Sequence, residues 1–271
     1  MSFFWATIYG IIQGVTEFLP VSSSGHLAVL PYFFSFKDPG VMFDLMMHLG
    51  TALAVMLYFY KDILLLFKEF IFIFTKKSFK YSSFFINFSV ATFFSILGIF
   101  ILKETAFTYG RYPLLIAINL IFFGLIMWWS DKKGSEFGDM VGGLELKRAI
   151  VVGLGQCLAI FPGVSRSGIT LTAGRFLGLS RFEAGRFSFL LSLPIIVGSS
   201  LYKWNAIFNN EKNVVEGEVL LYGVACSFIF GILTIHFFLK FISKVGLGHF
   251  TLYRVLLGLG LIALILSRAT T

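Results

Sequence analysis

Two short segments carry most of the side chains in this sequence that could do chemistry. The first runs from Glu17 through Pro20-Val21-Ser22-Ser23-Ser24-Gly25-His26, and the second from Pro162-Gly163-Val164-Ser165-Arg166-Ser167-Gly168 to Thr170. Hydroxyls, glycine-exposed backbone N–H groups and one guanidinium form a set that matches phosphate oxygens. Arginine offers a bidentate fork, and helix N-termini favour anions. The stretches Ser24-Gly25-His26 and Ser167-Gly168-Ile169-Thr170 each open a following helix, which brings its N-terminus to the site. Glu17 lies one turn after Gln13, so the two share a helix face. A carboxylate beside bound phosphate repels it unless it holds a divalent cation or accepts a proton. His26 adds a second acid/base or nucleophilic group. Together these residues suffice for phosphoanhydride hydrolysis, although an anion transporter could use most of them. The blander reading is a buried Glu17–Arg166 pair that only steadies the loops, and it leaves the surrounding hydroxyls without a purpose.

Other polar residues read more plainly. Asp44 and His48, four apart in an apolar run, suggest a hydrogen-bonded interior pair, with support of the site as the alternative. Gln156 reads as polar lining, and Arg175 and Arg186 as boundary residues, with contact to the site as the alternative. Tyr253-Arg254, at the start of the last apolar stretch, suggests an arginine that snorkels to the membrane surface. His236 and His249 carry no functional reading. Cys157 and Cys226 lie in apolar runs with no Cys/His cluster, which argues against zinc or a disulfide framework.

The elements that must position these residues lie in a membrane. Of 271 residues, 57% are hydrophobic and only 13% charged, against about 25% charged in soluble domains. The mean hydropathy is +0.87. A net charge of +8 suggests nucleic acid, but the basic residues sit in short loops between apolar spans, so a nucleic-acid partner is excluded. The apolar stretch from Phe3 to Ile12 lacks a basic flank and a cleavage site, so it is not expected to be a removed signal peptide.

Six stretches have the length and composition of transmembrane helices: about 42–60, 84–102, 113–129, 186–202, 219–240 and 251–267. The stretch 62–74 carries Lys68 and Glu69 and predicts an interfacial or short additional helix. Residues 3–36 and 147–179 are apolar but broken by the two motifs. They predict re-entrant helix–loop–helix hairpins, because freed backbone groups at membrane depth must face protein or water. The expected fold is thus all-α and polytopic.

The two broken regions are related. QGVTEFLPVSSSGH from Gln13 aligns with QCLAIFPGVSRSGI from Gln156 at a constant offset of 143 residues. This predicts one integral membrane domain, 1–271, with repeat halves of approximately 1–130 and 147–271. Lysine and arginine crowd loops 61–83 and 130–148, which places these, with 241–250, in the cytoplasm and loops 103–112 and 203–218 outside. Three spans then separate the hairpins, so they enter from opposite faces. Inverted repeats with broken helices put a polar site at the midplane.

At this point the motifs become recognisable. QGVTEFLPVSSSGH and FPGVSRSG resemble the two signature segments of the undecaprenyl-diphosphatase, or bacitracin-resistance, family of bacterial inner membranes. FDLMMHLGTALAV, FSFLLSLP and YRVLLGL extend the resemblance over nearly the whole chain. It implies hydrolysis of undecaprenyl diphosphate to undecaprenyl phosphate and inorganic phosphate, recycling the lipid carrier of cell-wall synthesis. It also implies dependence on magnesium or calcium and a site open to the periplasm. The expected partners are the lipid substrate, the bilayer and a second copy of the chain in a homodimer.

The family's Glu/Gln-x-x-x-Glu signature falls on Gln13 and Glu17, its histidine on His26, its serines on Ser22 and Ser23, and its Ser-Arg on Ser165 and Arg166. Many members carry Glu where this chain has Gln13, which puts a two-carboxylate metal site in doubt. Glu17, His26, Arg166 and Ser23 are the expected catalytic residues. Ser22, Ser24, Gly25, Ser165, Ser167, Gly168 and Thr170 are expected around the substrate, and Glu17 with Gln13 around the cation. The attacking group stays open between His26, Ser23 and water. A lipid-carrier flippase or anion transporter using the same midplane site is the alternative function.

Overall fold

The computed structural model describes residues 2–34, 41–76, 83–109, 112–134, 145–208 and 217–269. These form eleven α-helices and one short 3-10 turn. In chain order they are α1 Phe3–Thr16, α2 Ser23–Phe34, α3 Val41–Tyr58, α4 Tyr60–Lys76, α5 Ser83–Tyr109, α6 Pro113–Lys133, α7 Leu146–Cys157, α8 Arg166–Phe176, α9 Arg181–Phe208, α10 Gly217–Val245 and α11 Gly248–Ala269. The turn Leu158–Ile160 follows α7. Parts of the loops used to count charge, including 135–144 and 209–216, lie outside the described residues.

Five helices, α5, α6, α9, α10 and α11, are long and apolar enough to cross a membrane. The first expected span differs. Met42–Tyr58 qualifies only together with Tyr60–Thr75, across a bend of 77°. The stretch around 62–74 is therefore a helix of its own, α4. The elbow is held from within: Phe59 is buried in the aromatic core, and Asp62 pairs with Arg186 of α9, which also bonds Glu183 at 3.4 Å. Arg186 is thus a tie between α4 and α9 rather than a boundary residue. The outward faces carry Phe93, Phe100, Phe122 and Leu256, all well exposed, as a lipid-facing surface requires.

The two broken regions fold as expected into helix pairs. The 14 residues of α1 span roughly 21 Å, too short for a ~30 Å hydrocarbon core. Ser2 caps α1 at Trp5 N, and the helix gives way after Thr16 to a turn containing Pro20. α1 then packs on α2, and α7 on α8.

Packing between the pairs is crosswise. α1 lies along α10, α7 along α5, and α6 along α11. Small residues permit the close approach, the usual device where lipid supplies no hydrophobic drive between helices. A Cβ on Gly10 would come within 2.6 Å of the Gly223 carbonyl on α10. A Cβ on Gly153 would come within 2.4 Å of the Ala91 carbonyl on α5.

At the far end of α8, Asp131 draws several elements together. Its carboxylate accepts from Arg175 Nε at 3.2 Å, Arg181 Nε at 2.7 Å and the backbone N–H of Leu247 at 2.9 Å. Arg175 is 2% exposed and also donates to the Leu179 and Gly134 carbonyls. It is a buried staple, not the boundary residue that its place near a span end suggested.

Candidate active site

Both hairpin breaks place a serine in the left-handed region: Ser22 has φ 75° and Ser165 φ 71°. Such a conformation is costly for a residue with a Cβ, and at each position a helix start offsets it. Ser165 Oγ accepts the N–H of Gly168 at 3.1 Å, and Ser22 Oγ accepts that of Gly25 at 3.3 Å. Each serine therefore caps its own helix. The N–H groups of Ser23, Ser24, Arg166 and Ser167 precede any intrahelical acceptor, so two helix N-termini converge with donors to spare.

The breaks also bind each other. Gly163 N–H donates to Ser22 Oγ at 3.2 Å, and Ser167 Oγ donates to the Leu19 carbonyl at 3.0 Å. Gly163, at φ 91°, leaves no room for a side chain, since a Cβ would stand 2.5 Å from the Ile116 carbonyl.

Glu17 sits where the two breaks meet, with its side chain 5% exposed. Its Oε1 accepts from Arg166 Nη2 at 2.7 Å. Its Oε2 accepts from Ser23 Oγ at 2.7 Å and from Gln13 Nε2 at 3.0 Å. His48 Nε2 lies 3.5 Å from the same oxygen. The Glu17–Arg166 pair does form, but within a carboxylate site that also holds a hydroxyl and an amide. Arg166 reaches the Ser188 carbonyl with Nη1 at 3.3 Å. Thr170 steadies it from behind, its Oγ1 donating to the Arg166 carbonyl at 2.8 Å and lying 2.6 Å from Ser188 Oγ.

His26 is placed differently from Ser23. Its Nδ1 is 2.8 Å from the Ser22 carbonyl, which can only accept, so Nδ1 carries the proton. In the neutral ring Nε2 then accepts from the Tyr253 hydroxyl at 2.6 Å, and the two rings stack with planes 3° apart. Both imidazole nitrogens are engaged.

Several expected residues serve the backbone here. Ser22 and Ser165 are caps, Ser167 joins the breaks, and Gly168 lies against Arg254, whose Nη1 a Cβ would approach to 2.7 Å. Gly25 is packed on Ser22, where a Cβ would meet Oγ at 3.2 Å. Ser24 is exposed, with its hydroxyl 3.4 Å from that of Ser22.

This carboxylate, hydroxyl and guanidinium, set between two helix N-termini within an apolar bundle, suit transfer of a phosphoryl group. The whole chain agrees with that chemistry. The family model for bacitracin resistance protein BacA matches residues 6–260. This chain belongs to that family. Among curated relatives, the undecaprenyl-diphosphatase of Geotalea daltonii is 40% identical, with 95% of this chain and 96% of that protein covered. Those of Pelotomaculum thermopropionicum (39%, covering 99% and 98%) and Moorella thermoacetica (40%, covering 97% and 98%) carry the same name. Like them in sequence along its length, the chain is a multi-pass membrane protein of the BacA family.

The divalent cation that the resemblance implies meets a limited donor set. Among the described residues no three His, Cys, Asp or Glu side chains converge. Gln13 Oε1, however, is buried with no donor reaching it, one turn from the Glu17 carboxylate. The end of the amide that faces Glu17 is Nε2, so the two side chains would hold a cation together, with substrate phosphates as its remaining ligands, once the amide turned its oxygen toward the carboxylate.

Three residues at or beside the site escaped the sequence reading, and a fourth, His48, was placed there only as the alternative. His48 was expected to pair with Asp44, but its Nδ1 bonds the Asp44 backbone carbonyl at 2.7 Å while Nε2 faces Glu17. Ser188 had no signal of its own. Tyr253 and Arg254 were assigned to the membrane surface. Tyr253 instead meets His26, and Arg254 is fully buried, because backbone carbonyls from both breaks surround it where the surface would otherwise attract it.

Proposed function

We propose that this protein hydrolyses undecaprenyl diphosphate to undecaprenyl phosphate and inorganic phosphate, returning the monophosphate carrier to cell-wall synthesis, with Ser23 as the attacking group. The observation that carries this reading is the 2.7 Å hydrogen bond from Ser23 Oγ to Glu17 Oε2. A serine hydroxyl is a weak nucleophile until a base takes its proton. Glu17 is that base.

As Ser23 Oγ bonds to the terminal phosphorus, the bond from that phosphorus to the bridging oxygen breaks. The hydroxyl proton passes to Glu17, and undecaprenyl phosphate departs with the bridging oxygen, taking up the proton. Water then yields a proton to Glu17 and attacks the phosphoserine, and Ser23 leaves with that proton as inorganic phosphate forms. Arg166 and the first-turn N–H groups of α2 and α8 balance the charge spread over the transferred phosphoryl oxygens. His26, occupied on both nitrogens, fixes the Ser22 peptide and with it the start of α2. Glu17 and Gln13 Oε1 would hold magnesium or calcium jointly with the substrate, and the cation supplies further charge neutralisation when bound.

The site is read as open to the periplasmic side of the bacterial inner membrane, on the strength of the basic loops at 61–83 and 130–148. The halves 1–130 and 147–271 are read as inverted repeats. Support comes from paired features at the 143-residue offset, Gly10 with Gly153 and Ser22 with Ser165.

The test is phosphate release from a long-chain isoprenyl diphosphate in detergent, with magnesium or calcium present and Glu17→Gln run alongside wild type. Release by wild type and loss of it in the variant are expected. No release by wild type overturns the reading and leaves a transporter, which needs two compartments to act.

A further inference from the structure

Arg254 is the seventh residue of α11, at the end of its second turn, and is fully buried at 0% exposure. An ionised side chain inside a membrane bundle costs roughly 2.5–3.5 kcal/mol on insertion scales, so it requires a reason. An ion pair does not supply one, for among the described residues no carboxylate lies within salt-bridge distance of it. Its partners are five backbone carbonyls. Nε donates to Leu120 at 3.1 Å and Nη1 to Pro20 at 3.3 Å. Nη2 faces Asn119 at 3.3 Å, Gly163 at 2.8 Å and Val164 at 3.0 Å.

These acceptors belong to three separate stretches: α6, the first break and the second break. Pro20 precedes Ser22 by two residues, and Val164 directly precedes Ser165, so the guanidinium holds the chain just ahead of both left-handed serines. In a trans peptide the C=O and the next N–H point in opposite directions. Fixing the Val164 carbonyl on Arg254 therefore turns the Ser165 N–H away from it and sets the plane from which α8 starts. The same group lies against Gly168 in the first turn of α8, where a Cβ would stand 2.7 Å from Nη1. From the other side, a Cβ on Gly124 of α6 would stand 3.4 Å from Arg254 Nε.

We infer that Arg254 is a positioning residue for phosphoryl transfer: its planar fork gathers the carbonyls of both hairpin tips and so sets the spacing between Ser23 on one and Arg166 on the other. This rests on the diphosphatase reading of the site. It touches no substrate in this role. Its effect falls on the rate of the bound complex, because misplacement of reacting groups by about 1 Å is worth on the order of 100-fold.

The experiment compares wild type, Arg254→Lys and Arg254→Met in the detergent phosphate-release assay, with kcat taken per folded molecule from a parallel thermal melt. Lysine keeps the charge but is a point donor without the fork. Both variants are expected to lose kcat by about 100-fold with KM within about threefold of wild type. If lysine restores kcat, charge rather than geometry is at work and the inference fails. It also fails if both folded variants turn over normally, which is the outcome of a purely structural role. Should either variant not fold, Gly124→Val, which crowds Arg254 from α6 without deleting it, must show the same kcat loss at unchanged KM; normal kcat there overturns the inference. An inactive wild type would instead sink the diphosphatase reading, so the two failures are distinct.

Discussion

Ser23 and Arg166 stand at equivalent positions in the two hairpins, each the first residue of its helix, and both donate to the Glu17 carboxylate at 2.7 Å. One half contributes a hydroxyl at this position and the other a guanidinium. The carboxylate has no counterpart, since Ile160 occupies the equivalent place 143 residues on. Equivalent positions in the sequence thus carry unlike side chains, with the proposed attacking group and its proposed base on one side and the proposed charge stabiliser on the other.

The attacking group is open to a direct test. Ser23→Ala is expected to abolish phosphate release and any acid-stable phosphoenzyme, while His26→Ala retains the capacity to form one. An acid-labile, base-stable phosphoenzyme lost only in His26→Ala would transfer the role to the imidazole. Neither kind in wild type, under rapid quench in acid and in base, would favour direct attack by water.

Glu17 and Arg166 are also a structural pair, and their removal should show it. Arg166→Ala leaves a buried carboxylate with one charged partner fewer, at a cost of about 3–5 kcal/mol before relaxation. Turnover should be lost in protein that still folds but melts lower. A near-normal rate in this variant would refute the stabilising role of the guanidinium.

What the sequence revealed follows from how each residue signals. Glu17 and Arg166 are ionisable groups beside helix breakers in apolar runs, which sequence alone makes conspicuous. The helix pairs were readable for the same reason, because proline and glycine interrupt stretches too short to span alone. The bend after Tyr58 was not. It depends on Asp62 meeting Arg186, a contact 124 residues away in the chain. His48 and Arg254 reach the site from other helices, and the default of pairing or snorkelling concealed them. One signal was present in both: each is an ionisable residue inside an expected span, the criterion that singled out Arg166. The caps of Ser22 and Ser165 rest on backbone angles that composition does not disclose.

Asp131 gives a prediction about stability rather than chemistry. Asp131→Asn leaves Arg175 and Arg181 sharing a neutral amide, and Arg175 is 2% exposed. Loss of one partner from a buried ion cluster costs about 3–5 kcal/mol. The variant should melt well below wild type while folded molecules keep their KM. An unchanged melting temperature would show that the cluster contributes nothing net.

Helix contact offers a second stability test. Gly153→Ala would place a methyl 2.4 Å from the Ala91 carbonyl, forcing α7 away from α5. Overpacking of this kind costs about 1–3 kcal/mol. Gly260→Ala, where nothing lies within 4 Å of the new Cβ, is the matched control and should melt like wild type. Equal melting of both variants would contradict the close packing of α5 and α7.

The cation can be tested through Gln13, whose Oε1 is buried without a donor. A chelator should stop phosphate release, and added magnesium or calcium should restore it. Gln13→Glu adds a second carboxylate to the same helix face as Glu17, so less metal should be needed for half-maximal rate. Without metal the same change sets two anionic groups one turn apart in a buried place, and like charges there disfavour each other. The variant should therefore melt lower than wild type in chelator and regain stability as metal is added. Melting that ignores metal in Gln13→Glu, together with an unshifted metal requirement, would remove Gln13 from the proposed donor set and leave Glu17 as its only protein oxygen.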